Sequence, residues 1–203
     1  KICKLLNTKY PIVQGGMAWA SDSNLACAVS EAGGLGIIGC GGRELEWAVN
    51  EINTAKRNTS HLVGLNVALR DSDAVNIVEI AIAHGIKVFT MGGANIYLKL
   101  ISKYGEDVLI VPLVGSKMEA KLAERAGAKA IICEGQESGG SIGRLSLFSL
   151  LPQVVDAVKI PVIAAGGIAD SRGMRAAFAL GAQGIQMGTR FLASEESCIS
   201  NDY

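Results

Sequence analysis

Short apolar runs alternate along nearly the whole chain with longer stretches in which apolar residues recur at helical spacing. The short runs are rich in valine and isoleucine and end at glycine or small polar residues, as strands do before tight turns. This pattern predicts strands at residues 12–15, 35–39, 63–67, 87–91, 108–114, 130–133, 161–165 and 184–187. It predicts helices between them at residues 24–32, 45–54, 74–84, 95–104, 117–126, 147–158 and 171–180.

Signals at the ends of the predicted helices support these boundaries. Ser116 with Glu119 three residues later has the spacing of a capping box, in which two side chains satisfy free backbone N–H groups. Gly127 and Gly181 stand at the C-caps of two helices. Strands that alternate with helices indicate an α/β fold with a parallel sheet, and eight such units predict a TIM (β/α)8 barrel. A doubly wound sheet produces the same alternation and is the alternative.

The last predicted strand is followed by GTRFLASEESCISNDY, which is too short for a full eighth helix and the segment that normally follows it. We therefore expect a single barrel domain over residues 1–203 with an incomplete eighth helix. The flank left open has two explanations: the chain is a piece of a longer polypeptide, or a second copy covers the flank in a homodimer.

Composition and charge narrow the classes of function. The 203 residues are 49% hydrophobic and carry 19 basic and 19 acidic side chains, so no excess charge indicates a nucleic acid or an anionic membrane as partner. The five cysteines form no C-x-x-C pair and lie mostly in apolar runs, which is typical of buried thiols in the cytoplasm. No apolar run has the length of a membrane span, and no cluster of carboxylates, cysteines or histidines has metal-ligand spacing.

The candidate ligand-binding residues lie at the carboxyl ends of the predicted strands, where TIM barrels bind their ligands. Bare glycine-rich loops follow six of the predicted strands, and each taken singly is also explained as a tight turn. The loops after the seventh and eighth strands, AAGGI and QMGTR, hold the usual phosphate position of such barrels, so together these loops predict a phosphorylated ligand. Gly34, Gly36 and Gly39 match the dinucleotide-binding pattern G-x-G-x-x-G, but that pattern must follow a strand and open a helix, whereas here residues 35–38 are themselves the strand and a helix precedes them.

Five separated motifs together resemble one enzyme family. They are YPIVQGGMAWASDSNLACAVSEAGGLGIIG, GLNV, EGQESGGSIGRL, IPVIAAGGIADSRG and GIQMGTRF, and they run in order over essentially the whole chain. The sequence is similar to the flavin-dependent enoyl-acyl-carrier-protein reductase II and nitronate monooxygenase family, formerly called 2-nitropropane dioxygenases. The resemblance implies an FMN-binding TIM barrel whose C-terminal lid domain is absent or truncated here.

The resemblance also implies which residues bind the flavin. Gly15, Gly16 and Met17 would lie against its ring system, and Asn66 would bind the ring or the ribityl chain. Without the resemblance, Asn66 is interpreted more simply as a turn cap at the end of a strand. The remaining implied cofactor contacts are Glu134, Gly139, Gly167, Gln186, Met187, Gly188 and Thr189.

One position departs from the family pattern. Most relatives carry a catalytic histidine directly after the paired glycines, where this chain has Ser141. A serine hydroxyl is no base near neutral pH, although it can donate a hydrogen bond to a carbonyl. His61 and His84 lie before the third strand and at the end of a helix, so we expect both at the opposite end of the barrel.

The expected activity is that of an FMN-dependent oxidoreductase, with enoyl thioester reduction by NAD(P)H as the leading hypothesis. Its substrate would be a small molecule or an acyl-carrier thioester, and Glu134 in place of the glutamine found in monooxygenases favours it. The alternatives are a nitronate monooxygenase and an FMN-binding protein with weakened catalysis. Cys40 and Cys133 are expected to be buried, and Arg144 and Arg190 are candidate phosphate contacts or solvated charges.

Overall fold

The structure is a computed structural model that describes residues 1–67, 74–139 and 144–199. Its strands are β1 (Ile12–Gln14), β2 (Gly36–Gly39), β3 (Val63–Val67), β4 (Val88–Met91), β5 (Leu109–Val114), β6 (Ile131–Glu134), β7 (Val162–Ala165) and β8 (Gly184–Met187). Its helices are α1 (Ile2–Leu6), α2 (Ser23–Glu31), α3 (Leu45–Asn58), α4 (Ala74–Ala83), α5 (Ala94–Tyr104), α6 (Lys117–Arg125), α7 (Leu147–Val155), α8 (Ser171–Ala179) and α9 (Thr189–Leu192).

All paired strands are parallel, and their spatial order is β1-β8-β7-β6-β5-β4-β3-β2. An isolated parallel bridge between Val13 and Leu35 joins β1 to β2 and brings the two ends of the sheet together. A doubly wound sheet stays open, with its first and last strands apart. The predicted TIM barrel is therefore confirmed.

Side chains of opposite strand faces form two separate apolar layers. Val13, Ile37, Val111 and Ile163 belong to the cluster inside the barrel, where α1 adds Ile2 and Leu6. The larger outer cluster packs the other strand faces against the helices and includes Cys40, Phe89, Cys133 and Ile185. Alternate strand residues thus face the barrel interior, and the last interior residue of each strand faces the site.

The helix-end signals act largely as the sequence predicts. Gly127 and Gly181 have φ of 99° and 97°, the left-handed conformation typical of a residue just beyond a helix. Ser116 Oγ accepts the Glu119 N–H at 3.2 Å, but the Glu119 carboxylate accepts from Gly115 instead of closing the box on Ser116. Only half of the predicted capping box therefore forms.

Two helices were not predicted, and both bear on the barrel's ends. α1 has five residues and lies below the barrel, while α9 has four residues and follows β8. Beside α9, an apolar groove of about 480 Å³ runs over the outer surface of β1 and β8, lined by Ile12, Ile185, Met174 and Phe191. Within the described part of the chain, no helix is both long and apolar enough to cross a membrane.

Candidate functional site

The loop after β1 lies at the barrel mouth, between β3 and β8. A side chain at Gly16 would collide with the side chain of Asn66 on β3. A Cβ at Gly15 would lie 3.4 Å from the side-chain amide of Gln186 on β8. The absence of a Cβ at Gly16 is thus what lets Asn66 lie against the backbone, and the two glycines form a bare floor between two amide side chains.

Asn66 is held in one orientation by a threonine on the neighbouring strand. Its Nδ2 donates to Thr90 O at 3.1 Å and to Thr90 Oγ1 at 3.0 Å, while the paired register of β3 and β4 places the two residues side by side. The carbonyl of Thr90 can only accept, so the amide nitrogen must point toward it. Among the described residues nothing donates to Asn66 Oδ1, which leaves a fixed hydrogen-bond acceptor for a ligand.

Gln186 supplies a second amide on the other side of the two glycines. Its side chain is 9% exposed and forms no hydrogen bond with any residue in the described ranges. Gln186 is in register with Ala165 of β7, which is in register with Glu134 of β6. With neighbouring strands about 4.8 Å apart, Glu134 lies roughly 10 Å from Gln186 along the rim.

Glu134 is the last residue of β6, one residue beyond the predicted end of that strand. The strand continues because Glu134 pairs with Ala165, and this register turns its carboxyl toward the barrel interior. Ser138 Oγ donates to Glu134 Oε1 at 2.8 Å. Burial raises the pKa of Glu134, although the hydroxyl of Ser138 opposes part of that effect by stabilising the charged form.

The loop after β6 packs against the glycines that follow β7. Gly166 and Gly167 have φ of 122° and 67°, conformations that favour glycine, and the Glu137 side chain lies 3.5 Å from where a Gly167 Cβ would be. Glu137 also accepts the Leu147 N–H at 2.9 Å, which anchors the loop to the start of α7. Gly139 is exposed, and no described atom lies within 4 Å of the place that a Cβ would occupy there. The predicted catalytic position, Ser141, lies outside the described residues.

Residues at and after the end of β8 lie on two surfaces, the barrel mouth and the outer groove. The Met17 sulfur lies 3.4 Å from the place of a Cβ on Gly188, so the loops after β1 and β8 are in contact. Thr189 is exposed and begins α9. The side chain of Met187, however, points outward into the groove beside Ile12 and Ile185, while its carbonyl accepts the Gly15 N–H at 2.8 Å. Only the backbone of Met187 belongs to the mouth, because adjacent strand residues face opposite sides.

The thiol side chains named from the sequence face away from this mouth, and the histidines lie at the other end of the barrel. Cys40 and Cys133 are fully buried in the outer cluster, and burial raises the pKa of Cys133 to about 12, which disfavours a nucleophilic thiolate. His61 precedes β3, and His84 follows α4 with Nδ1 3.2 Å from Asn53 Oδ1. Both histidines lie at the amino-terminal ends of strands, opposite the site, as predicted.

The two arginines named from the sequence are both exposed. Arg144 begins the described residues that follow the loop after β6, and Arg190 lines the outer groove beside Phe191. Arg190 therefore lies on a different surface from Asn66 and Gln186 in this structure.

Two residues that hydrogen-bond to predicted site residues were not predicted from the sequence. Thr90 orients Asn66, and Ser138 binds Glu134. Thr90 sits at an interior position of β4, where a polar residue in a buried strand is itself a signal. Ser138 offers no such signal, because serine is common in any polar loop.

Comparison with known proteins agrees with this architecture. A model of the nitronate monooxygenase family matches residues 1–202. The solved structure of FabK from Thermotoga maritima superimposes with a TM-score of 0.95 at 47% sequence identity, over 98% of this chain and 64% of that chain.

Two curated relatives are similar over almost the whole of this chain. A (3aS,4S,5R,7aS)-5-hydroxy-7a-methyl-1-oxo-octahydro-1H-indene-4-carboxyl-CoA dehydrogenase of Mycobacterium tuberculosis is 37% identical over 202 residues, 98% of this chain and 57% of its own length. A probable nitronate monooxygenase of Staphylococcus aureus is 33% identical over 245 residues, 97% of this chain and 68% of its own length. The chain thus spans little more than half the length of the dehydrogenase. The family and these similar proteins are oxidoreductases.

Proposed function

Because the chain belongs to the nitronate monooxygenase family, we propose that it binds FMN at the barrel mouth and acts as a flavin-dependent oxidoreductase. The observation that carries this proposal is the pair of amides that flank Gly15 and Gly16. Asn66 offers a fixed acceptor, and Gln186 offers an amide without a hydrogen-bond partner among the described residues. A flavin ring has both donors and acceptors along its edge, which two amides can match.

Three of the other predicted contacts, Gly167, Gly188 and Thr189, support a phosphorylated flavin as the ligand. Gly167 and Gly188 present bare backbone after β7 and β8, where barrels of this kind bind phosphate, and Thr189 adds an exposed hydroxyl. Met17 packs on Gly188 and so ties the ring end of the site to the phosphate end. FMN would supply two-electron chemistry, and these residues would bind it and fix the orientation of its ring and phosphate ends.

We propose an enoyl thioester as the substrate and NAD(P)H as the electron donor. The 47% identity with FabK, an enoyl-acyl-carrier-protein reductase, supports the reaction class, and the dehydrogenase relative is named for a CoA thioester substrate. Burial raises the pKa of the Glu134 carboxyl at the mouth, which shifts its equilibrium toward the protonated form. Such a carboxyl is a candidate source of the proton that the reduced double bond requires.

Retention of FMN is the first test. The purified chain is desalted after addition of FMN, and its visible spectrum is compared with those of Asn66→Ala and Asn50→Ala. Asn50 is an exposed residue of α3 and serves as the matched control. We expect the wild type and Asn50→Ala to keep the absorption bands of oxidised flavin and Asn66→Ala to lose most of them. Equal retention by all three would contradict the assignment of the site.

Substrate identity is tested next under anaerobic conditions. NADH or NADPH should bleach the bound flavin, and a crotonyl thioester should then restore its colour. Turnover of a nitronate without thioester activity would instead support the monooxygenase alternative, which the similarity to the Staphylococcus aureus relative favours. Bound flavin that no donor reduces would support an FMN-binding protein with weakened catalysis. In that case Ser141→His should raise the rate, since it restores the family residue.

A further inference from the structure

A cluster of one arginine and two tryptophans lies beside the flavin site and has no role in the function proposed above. The guanidinium carbon of Arg43 lies 3.9 Å from the ring centroid of Trp19 and 4.5 Å from that of Trp47. Trp19 follows β1 in the same loop as Gly15 and Gly16, Arg43 follows β2, and Trp47 lies in the first turn of α3. We call these three residues the Trp–Arg cluster.

The arginine of this cluster has no carboxylate partner among the described residues. The ion pairs within the described ranges are Lys103–Glu79, Lys129–Glu106 and Arg172–Asp170, and none of them includes Arg43. Its Nε is buried and forms no hydrogen bond with any described residue. Its terminal guanidinium nitrogens also donate to no described residue, and these are the N–H groups that can bind a phosphate or carboxylate.

The nearby carboxylates are already engaged elsewhere. Asp22 accepts the Leu25 N–H at 3.1 Å as the N-cap of α2, and Glu51 accepts the Ser23 N–H at 2.6 Å. Neither forms an ion pair with Arg43 in the described part of the chain. Because no described carboxylate lies within ion-pair distance of Arg43, the ends of its guanidinium group can still contact an anion from solution.

Trp19 gives the cluster a second binding feature. Its indole is 61% exposed although one part of it contacts Arg43. Its φ is 68°, a backbone conformation that is costly for a bulky residue and is enriched at functional sites. The turn that imposes it is closed by hydrogen bonds from Ala20 N–H at 3.1 Å and Ser21 N–H at 2.9 Å to Met17 O. The loop thus holds an uncovered aromatic surface at a fixed place beside a cation.

We propose that the Trp–Arg cluster binds the adenosine-phosphate part of a nucleotide, with the base on Trp19 and a phosphate on Arg43. Aromatic side chains bind bases by stacking, and a guanidinium binds a phosphate through paired N–H groups. The assignment rests on the proposed function, because both NAD(P)H and a CoA thioester carry an adenosine phosphate and both would react at the neighbouring mouth. The two sources differ in their extra phosphate, which is on the 2′ position in NADPH and on the 3′ position in CoA.

Intrinsic fluorescence tests this proposal directly, because the chain's two tryptophans are Trp19 and Trp47 and both belong to the cluster. The chain, with and without FMN, is titrated with ADP, 2′,5′-ADP, 3′,5′-ADP and inorganic phosphate. We expect saturable quenching by the nucleotides, with phosphate competing weakly. Tighter binding of 2′,5′-ADP would identify the nicotinamide donor as the source, and tighter binding of 3′,5′-ADP would identify the CoA thioester.

Variants separate binding from folding. Arg43→Gln should weaken nucleotide binding by roughly tenfold to a hundredfold, since it removes charge-assisted hydrogen bonds to phosphate. Trp19→Leu should weaken ADP binding more than inorganic phosphate binding, measured by calorimetry because the variant loses one of the two fluorophores. Arg57→Gln, near the far end of α3, removes the same charge from an exposed position and should change nothing.

The outcomes also distinguish this proposal from the proposed function. Absence of saturable nucleotide binding, or equal loss in Arg43→Gln and Arg57→Gln, would overturn the nucleotide site. Retention of FMN in those same samples would leave the flavin assignment standing. If nucleotides bind through Arg43 but FMN is not retained, the flavin assignment fails and the Trp–Arg cluster remains a nucleotide site.

Discussion

At the scale of single residues, the buried carboxyl of Glu134 lowers the stability of the fold at neutral pH and is also a candidate proton donor at the mouth. Burial raises the pKa of Glu134 above its value in the unfolded chain, so the folded state disfavours the charged carboxylate. The stability of the folded chain should therefore fall as the pH rises above the ordinary carboxyl pKa of 4.5. A residue that weakens the fold at neutral pH and faces the mouth is typical of a functional site.

Glu134→Gln should for that reason stabilise the protein at pH 8 and leave its stability nearly unchanged at pH 4, where both side chains are neutral. Glutamine keeps an oxygen that can accept from Ser138, so that hydrogen bond survives. Thermal unfolding at the two pH values measures the effect, and Glu195→Gln at an exposed position is the control. A lower melting temperature for Glu134→Gln at pH 8 would mean that the carboxylate is stabilised in the fold.

Thr90 is a positioning residue for Asn66, and its hydroxyl can be removed at nearly constant volume. Thr90→Val should weaken FMN binding about fivefold, the effect of one hydrogen bond of about 1 kcal/mol, while Thr90→Ser keeps wild-type affinity. The dissociation constant of FMN measured by fluorescence quenching tests this, with thermal unfolding recorded beside it. An equal loss of affinity in both variants would trace the effect to packing and not to the hydroxyl.

At the scale of elements, α1 shows what the sequence pattern could and could not predict. The eight strands and the seven helices between them follow from apolar periodicity and glycine caps, because those signals are local. α1 has five residues, too few for a periodic pattern, and it forms because Ile2 and Leu6 pack into the barrel interior. Its stability comes from tertiary contacts that no local window contains.

Leu6→Ala tests how firmly α1 closes the lower end of the barrel. Leu6 is 1% exposed and packs with the interior cluster, so its truncation should lower the free energy of unfolding by about 2–5 kcal/mol. Leu5→Ala, at a half-buried position of the same helix, should cost clearly less. Urea unfolding measures both, and similar values for the two variants would show that α1 is only loosely docked.

The candidate site likewise has residues that the local sequence could predict and contacts that depend on the tertiary fold. Gly15, Gly16 and Asn66 could be named as flavin contacts only because their motifs resemble those of a known family, since the residues alone explain Asn66 as a turn cap. The contact between Gly16 and Asn66 depends on how the loop after β1 packs against β3, and the role of Thr90 depends on the register between β3 and β4. No single segment of sequence specifies either. The outward side chain of Met187 follows from strand register as well, since Gln186 beside it faces the interior.

At the scale of the whole molecule, closure of the barrel depends on a seam that carries few backbone hydrogen bonds. β1 and β2 are linked by the bridge between Val13 and Leu35, and the side chain of Gln14 completes the junction. Gln14 Oε1 accepts the Ile37 N–H at 3.0 Å, and its Nε2 donates to Gly15 O. This side chain is fully buried, so it replaces ladder hydrogen bonds that the short β1 cannot supply.

Gln14→Met keeps a similar volume but removes both hydrogen bonds, and it leaves the Ile37 N–H buried without a partner. We expect the free energy of unfolding to fall by about 1–3 kcal/mol, the cost of an unsatisfied buried group. FMN binding should weaken as well, because Gln14 holds Gly15, which forms the floor of the proposed flavin site next to Gln186. Urea unfolding and FMN titration measure the two effects, with Gln183→Met at an exposed position as the control. Loss of stability without loss of FMN affinity would show that the seam supports the barrel alone, whereas loss of both would show that closure of the barrel also shapes its mouth.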